Sequence, residues 1–262
     1  TAGGRILADR QANTLAHDPA SAIGPSMSYA GGSIQPLTLN GTDITGEIRG
    51  GKMAALIEAR DTRLPNLQAE LDRLTEQLRD QINKIHNQGT AFPAPASLPG
   101  SRSFADPPTD SLTASSDVRI AVTDSSGAFV NDFVLAAGTY TVDQVRDAIN
   151  ANLGPDAIAT TSASGPLEIA AAGGNGIAIA DLGAQTVNFG AGSFNGFSNF
   201  FGLNDLFVTN GIVTGDSPTG ISGLVQVRAD IVANPALIAR GSLQDPATAT
   251  QALLAGDNGI AT

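Results

Sequence analysis

The 262 residues contain no cysteine and no tryptophan, and only two tyrosines. Without cysteine there is no disulfide, no thiolate metal site and no cysteine nucleophile. Lysine is almost absent too: Lys52 and Lys84 stand alone, no basic stretch can follow a phosphate backbone, and the net charge is −11. Nucleic acid is therefore not an expected partner. No run of about 18 apolar residues occurs, so no membrane-spanning helix is expected, and Thr1 to Arg10 lack the apolar core of a leader peptide. The only histidines, His17 and His86, lie far apart. With them a metal site or Ser–His–acid triad has few candidates, and no Gly-x-Ser-x-Gly elbow or phosphate-binding loop is present. Carboxylates are numerous but nothing singles out a pair. The chain is expected to be no enzyme and to carry no cofactor and no metal.

What remains is a weakly charged chain, 15% charged and 42% hydrophobic, whose apolar content is mostly small. That mixture fits thin, Gly-rich β structure with some helix. Up to about Gly50 the sequence reads as short strands (Gly4 to Ala8, Ser26 to Ala30, Ser33 to Leu39), with turns at Gly31-Gly32 and Asn40-Gly41. A helix is predicted from Gly51 to about Asp61, with Met53, Leu56 and Ile57 on one face. A second helix follows Pro65, which biases Leu64 away from helical angles and marks a start or a kink. Its apolar positions are Leu64, Leu67, Leu71, Leu74, Leu78, Ile82 and Ile85, separated by 3, 4, 3, 4, 4 and 3. This near-heptad stripe is expected to pack on a helix or sheet, with Glu70/Arg73, Glu76/Arg79 and Asp80/Lys84 on the exposed face. His86 sits in the last turn, where a cation suits the helix dipole. Asn87-Gln88-Gly89 ends the helix, with Gly89 available for a left-handed cap.

Residues 91 to 116 read as a linker rich in Pro, Ser and Asp. Beyond it Val118, Ile120 and Val122 alternate, Asp124 to Gly127 turn, and Phe129 to Leu135 return. Thr141 and Gln144 form a capping box for a helix carrying Val142, Val145, Ile149 and Leu153, stopped by Gly154-Pro155. Two or three strands, at 157–161, 167–171 and 177–180, follow, and the unit reads as β-β-α-β-β. The turn Gly173-Gly174-Asn175-Gly176 faintly echoes a calcium-binding repeat. Ala178 stands where that repeat needs Asp, so it reads as a Gly-rich hairpin. Phe189, Phe194, Phe197, Phe200, Phe201 and Phe207 read as the main core rather than an exposed patch. Leu224 to Arg228 alternate like a strand, and Asn234-Pro235 starts a short helix.

Three segments then resemble the flagellar hook-associated protein 1 family. The first is Gly50-Gly51-Lys52-Met53 with Arg60-Asp61, Leu64-Pro65, Leu71-Asp72, Asn83, His86 and Gly89. The second is Phe200-Phe201-Gly202-Leu203-Asn204-Asp205-Leu206-Phe207. The third runs from Val225 through Asn234-Pro235 to Gly256-Asp257-Asn258. Their order and spacing carry the resemblance over about 50–89 and 200–258. It implies an α+β fold: a discontinuous inner domain, 1–99 and 199–262, with a long helix pair and short strands, and an inserted β-rich outer domain, 100–198. It also implies a structural adaptor in a ring of like subunits between hook and filament. Its partners would be the hook protein and the second hook-associated protein, and it would be exported to the extracellular flagellum. The family's terminal coiled-coil helices and chaperone site are expected to be missing here, leaving a monomeric fragment. An extracellular adhesin or carbohydrate-binding β protein is the competing reading.

Overall fold

The computed structural model describes residues 13–163, 165–209 and 219–243, with the backbone of 254–256. Strands expected at Gly4 to Ala8 and the motif residues Asp257-Asn258 lie outside them. The chain divides into two compact units, Thr1–Glu76 with Ser217–Gly223 and Gln77–Asp216 with Leu224–Thr262.

In the first unit β1 (Leu15–Ala16), β2 (Thr38–Leu39) and β3 (Thr42–Asp43) form a small antiparallel sheet. Asn40-Gly41 makes the β2–β3 turn with φ of 50° and 80°. A two-residue turn with both central residues left-handed matches the twist of its flanking strands. Leu39 and Ile44 are buried beside Leu37 and Ile48. Residues 26–30, expected as a strand, form turns instead.

The two helices expected around Pro65 run on without a break. Helix α1 (Gly51–Glu58) passes through a π turn, Ala59–Arg63, into α2 (Leu64–His86). Leu64 is helical at φ −66° and ψ −44° although a proline follows it. Pro65 has no N–H for the carbonyl one turn back, and its ring crowds that carbonyl. Widening the preceding turn relieves both, so the kink signal becomes a bulge.

The larger correction concerns which face of α2 is buried. Leu64, Leu67, Leu71, Leu74, Leu78 and Ile85, expected to pack, are 46% to 62% exposed. The buried positions are Asp72, Arg79, Asn83 and His86, a polar stripe spaced 7, 4 and 3. Of the expected ion pairs, Asp80 bonds the inward-turned Arg79 at 2.7 Å in place of Lys84.

The second unit is mostly antiparallel sheet. One sheet orders β4 (Ser97–Ser103), β10 (Pro166–Ala171) and β9 (Ala157–Thr161). A second orders β11 (Gly176–Asp181), β6 (Val118–Thr123) and β7 (Phe129–Leu135). A third orders β13 (Gly192–Asn195), β12 (Thr186–Phe189), β5 (Ser111–Ala114) and β8 (Gly138–Thr141). The segment read as a linker thus supplies β4 and β5. Leu98, Phe104 and Leu112 bury themselves from it, and β4, with Pro99, takes a sheet edge where a missing N–H is tolerated. Gly173 to Gly176 form no hairpin, because β10 and β11 belong to different sheets. Gly176 passes so close to residue 94 that a Cβ would meet the Ala94 carbonyl at 2.2 Å.

Helix α3 (Val142–Leu153) has the expected capping box, with Thr141 and Gln144 bonded reciprocally, and Val142, Val145, Ile149 and Leu153 are all buried. Helix α4 (Phe197–Phe201) sends Phe197, Phe200 and Phe201 into the same core. Phe104 joins them, its ring 5.6 Å from that of Phe201. Short pairs β14 (Phe207–Val208) with β15 (Gln226–Val227), then α5 (Ala229–Ala233), and β16 (Gly241–Leu243) with β17 (Leu254–Gly256) complete the unit. Asn234-Pro235 opens a single 3-10 turn, the Asn234 side chain accepting from the Ala236 N–H.

Candidate functional site

A helix normally presents Asn and His to water, so a buried polar stripe on α2 requires partners. In the second unit they come from residues 198–209. Asn83 Oδ1 accepts from the backbone N–H groups of Leu206 (3.0 Å) and Phe207 (2.8 Å), while its Nδ2 donates to the Phe207 carbonyl at 2.8 Å. The side chain thereby imitates a neighbouring strand. Asn87 Nδ2 donates to the Asn83 carbonyl (2.9 Å) and Asp205 Oδ1 (2.7 Å). Its Oδ1 accepts from Ser198 Oγ (2.7 Å) and the Asn204 N–H (3.0 Å). All four capacities of that amide are used.

The return direction is equally specific. Asn204 Nδ2 donates to the carbonyls of His86 and Gly89, each at 3.0 Å. The first is a carbonyl of the last helical turn, which has no partner within the helix, and the second lies three residues beyond the helix end. Gly89 is not among the described glycines with positive φ, so the left-handed cap expected of it gives way to this side-chain cap. His86 accepts the Ala239 N–H at Nε2 (2.9 Å), and its Nδ1 lies 2.6 Å from the Asn204 carbonyl. The ring must be neutral, protonated on Nδ1, for both bonds to form. Burial lowers its pKa, partly opposed by the Asn204 bond, with Arg228 lowering it further. The cation expected at the helix end is absent in favour of a neutral imidazole.

Asp205 lies at the bottom of this arrangement, 1% exposed. Its second oxygen accepts from Ser101 Oγ at 2.6 Å. Burial pushes its carboxyl up, opposed by the Ser101 and Asn87 bonds and by the charges of Arg228 and Arg79. Gly202 holds φ at +66°, and a Cβ there would stand 1.9 Å from Ser101 Oγ. Arg102 bonds the Phe200 carbonyl at 2.6 Å and lies over the Phe194 and Phe200 rings. Arg228 reaches the Leu203 carbonyl at 3.2 Å.

The first unit has its own knot. Asp72 accepts from Gln68 Nε2, from the N–H and Oγ of Ser222, and from the Gly220 N–H at 2.7–3.0 Å. Burial raises its pKa, but the bonds from Gly220, Ser222 and Gln68 outweigh it and hold the carboxyl at about 2. Elsewhere in the same unit Arg60 forms a two-pronged pair with Asp61 (2.6 and 2.7 Å) and lies 5.7 Å from the Tyr29 ring centre.

The sequence-derived residues thus separate into groups. Asn83, His86, Gly89, Asn204, Asp205, Leu206 and Phe207 come together, with Phe200, Phe201 and Leu203 packed beneath. Arg60 and Asp61 bond each other in the first unit. The leucine stripe joins neither set. Asn87, Ser101, Arg102 and Ser198 were missed. Only Asn87 carried a signal, one turn beyond Asn83 on the same face. Both ring nitrogens of His86 and both oxygens of Asp205 are engaged within the protein, so neither offers a base or nucleophile. Among the described residues no group of three or more acids and histidines could hold a metal ion. None of their helices is long and apolar enough to cross a membrane.

Residues 2–95 match the family described as the flagellar hook-associated protein FlgK helical domain. Over that stretch the chain is FlgK-like. No curated protein and no solved structure matches it. The FlgK match covers α1, the π turn, α2 and the helix side of the clamp (Asn83, His86 and Asn87). The receiving side, 198–209, lies outside it. FlgK is a structural protein of the bacterial flagellum, and the match supports a flagellar hook-associated role here. The clamp suits such a role chemically, since the polar groups of Asn83, His86, Asn87, Asn204 and Asp205 are spent on holding the helix to residues 198–209 and neighbouring segments.

Proposed function

We propose that this chain is the outer part of a hook–filament junction subunit. It is exported to the extracellular flagellum and joined in a ring of like subunits between the hook protein and the second hook-associated protein. Its work on this reading is mechanical and not catalytic. The motif residues Asn83, His86, Asn204 and Asp205 fix the helix to the segment returning from residues 100–198, the inserted part that faces outward.

The observation that carries the reading is the FlgK match over residues 2–95, whose helix is the one the clamp seizes. The test is deletion of the full-length gene in its source bacterium, followed by electron microscopy and immunoblotting of the medium. Hooks without filaments, flagellin shed to the medium and rescue by the intact gene are expected. Normal filaments in the deletion strain refute the junction role.

One observation favours the carbohydrate-binding reading. A polar cavity of about 500 Å³ in the second unit is lined by Asp181, Gln185, Thr186 and Asn195, and the buried Gln185 Nε2 has no hydrogen-bond partner. Saturable glycan binding abolished by Gln185→Leu, with normal filaments in the deletion strain, would favour it.

A further inference from the structure

The cavity of about 500 Å³ in the second unit shares its wall with the clamp. Lys84, Asn87 and Gln88 come to it from α2 and the turn that follows, Asp181 from the end of β11, Gln185 from the turn before β12, and Ser198 from α4. Asn87 and Ser198, which bond each other at 2.7 Å, are clamp residues as well. Several polar groups of the wall are not spent on the protein. Gln185 is only 6% exposed, and its Oε1 accepts from the N–H and Oγ of Ser116, each at 2.6 Å. A backbone N–H can only donate, so this amide cannot turn over without setting two donors against each other. Ser116 stands outside the cavity wall, which leaves the Nε2 end on the cavity side. Among the described residues that nitrogen has no hydrogen-bond partner, although buried donors are almost always satisfied. Asp181 gives Oδ1 to the Phe197 N–H at 3.2 Å, and its Oδ2 accepts from no described residue. Burial pushes this carboxyl up, opposed by the Phe197 bond. Asp80, four residues before Lys84, is taken by Arg79 at 2.7 Å, and among the described residues Lys84 has no ion-pair partner.

We propose that this cavity binds a neutral polyhydroxylated molecule, of the chemical class of a hexose, and that its occupant braces the clamp. The wall asks for a donor at Asp181 Oδ2 and for acceptors at Gln185 Nε2 and Lys84 Nζ. A hydroxyl both donates and accepts, so neighbouring hydroxyls on one ring can answer all three. An inorganic anion has acceptors only and meets the charge of Asp181. A metal ion finds no group of three or more acids and histidines among the described residues. A peptide group brings one N–H and one C=O, fewer groups than the wall leaves open. The volume is that of a small-ligand site. An occupant held by Lys84 on the helix side and by Asp181 and Gln185 on the sheet side ties together what the Asn87–Ser198 bond ties. The ligand class rests on the carbohydrate reading above, whereas the bracing suits a junction subunit equally.

The test is isothermal titration calorimetry of the 262-residue chain with glucose, galactose, mannose and N-acetylglucosamine, beside inorganic phosphate and a blocked glycine peptide. A sugar of this set is expected to bind with a dissociation constant of about 1 mM, the affinity open to about a dozen heavy atoms, and phosphate and the peptide are not. Asp181→Asn keeps an acceptor for the Phe197 N–H and exchanges the open acceptor for a donor. Lys84→Met removes a cation that has no described partner. Each should raise the dissociation constant by about 10-fold or more, with the circular dichroism spectrum unchanged. Hydrogen exchange at the Asn204 N–H, held by Asn87 Oδ1, should slow about 10-fold at a sugar concentration about ten times the dissociation constant. Sugar binding that leaves this exchange unchanged overturns the bracing and keeps the carbohydrate reading. Sugar binding indifferent to both variants overturns the cavity as its site. Binding of phosphate or the peptide in place of a sugar, or of none of the probes, overturns the proposal and the carbohydrate reading together.

Discussion

Asn87 is the residue whose loss should be felt most, because its small amide serves four separate groups. Asn87→Ala removes bonds to the Asn83 carbonyl, Ser198 Oγ and the Asn204 N–H, and a charge-assisted bond to Asp205. Neutral bonds contribute about 1 kcal/mol each and the charged one about 2. With partial relief by entering water, the cost should be about 3–5 kcal/mol, a large share of a domain's stability. Asn87→Asp is the sharper test, since it keeps the shape and exchanges a donor for an acceptor. An oxygen would then face Asp205 Oδ1 across about the 2.7 Å now spanned by a hydrogen bond. Two buried carboxylates at that distance cannot both ionise. At pH 7 the Asp variant should be at least as unstable as the Ala variant, and near pH 5 it should recover in part, as one shared proton restores the bond to Asp205 but not the one to the Asn83 carbonyl. Urea unfolding followed by circular dichroism at both pH values measures this. A loss below about 1 kcal/mol for Asn87→Ala, or an Asp variant indifferent to pH, would refute the reading of 198–209 as clamped through this amide.

The other expectations test separate parts of the fold. His86 has a lowered folded pKa, so the unfolded chain takes up the proton first. The histidine's contribution should be intact above about pH 6.5 and decline as pH falls below it; subtracting the pH profile of His86→Gln from that of wild type should leave this slope. Asp72 is depressed from 3.8 to about 2, so its contribution is present above pH 4 and lost as pH falls towards 2, and Asp72→Asn should flatten acid unfolding there. Gly202→Ala adds a left-handed alanine and a contact of 1.9 Å with Ser101; about 2–4 kcal/mol should be lost, with partial rescue by Ser101→Gly. Thr141→Ala removes half of the α3 capping box and should lower stability by about 1 kcal/mol in thermal unfolding.

Where local chemistry dictates structure, the sequence was readable. The Asp124 to Gly127 turn closes because Asp124 Oδ1 accepts from the N–H groups of Ser126 and Ala128, a bond pattern written within five consecutive residues. The α3 cap and its four buried apolar positions are equally local. Failure came where burial was decided by distant partners. Leucines at heptad spacing signal a core, yet on α2 they face outward, because Asn83, Asn87 and His86 find backbone groups more than 110 residues away. Nothing in an isolated Asn shows that it will imitate a strand. The strands β4 and β5 were hidden for another reason: Leu98, Phe104 and Leu112 are too widely spaced, among prolines and serines, to show alternation. Of the candidate site, the family motifs supplied the helix residues and their receivers. The serines and Arg102 carried no signal.

The Asn204 side chain touches the Gly89 carbonyl at 3.0 Å, so the chain leaves and re-enters the clamp at one point. The stretch between is then a closed loop, whose ends are pinned as long as Ser101, Arg102 and Ser198 keep their bonds to the clamp. Lengthening, shortening or exchanging the part between Arg102 and Ser198 leaves the geometry at its root unchanged, because the entropy of bringing the ends together has already been met by the clamp and rises only slowly with length. The clamp therefore works as a socket: it lets the decoration evolve in size and surface while the helix beneath stays as it is.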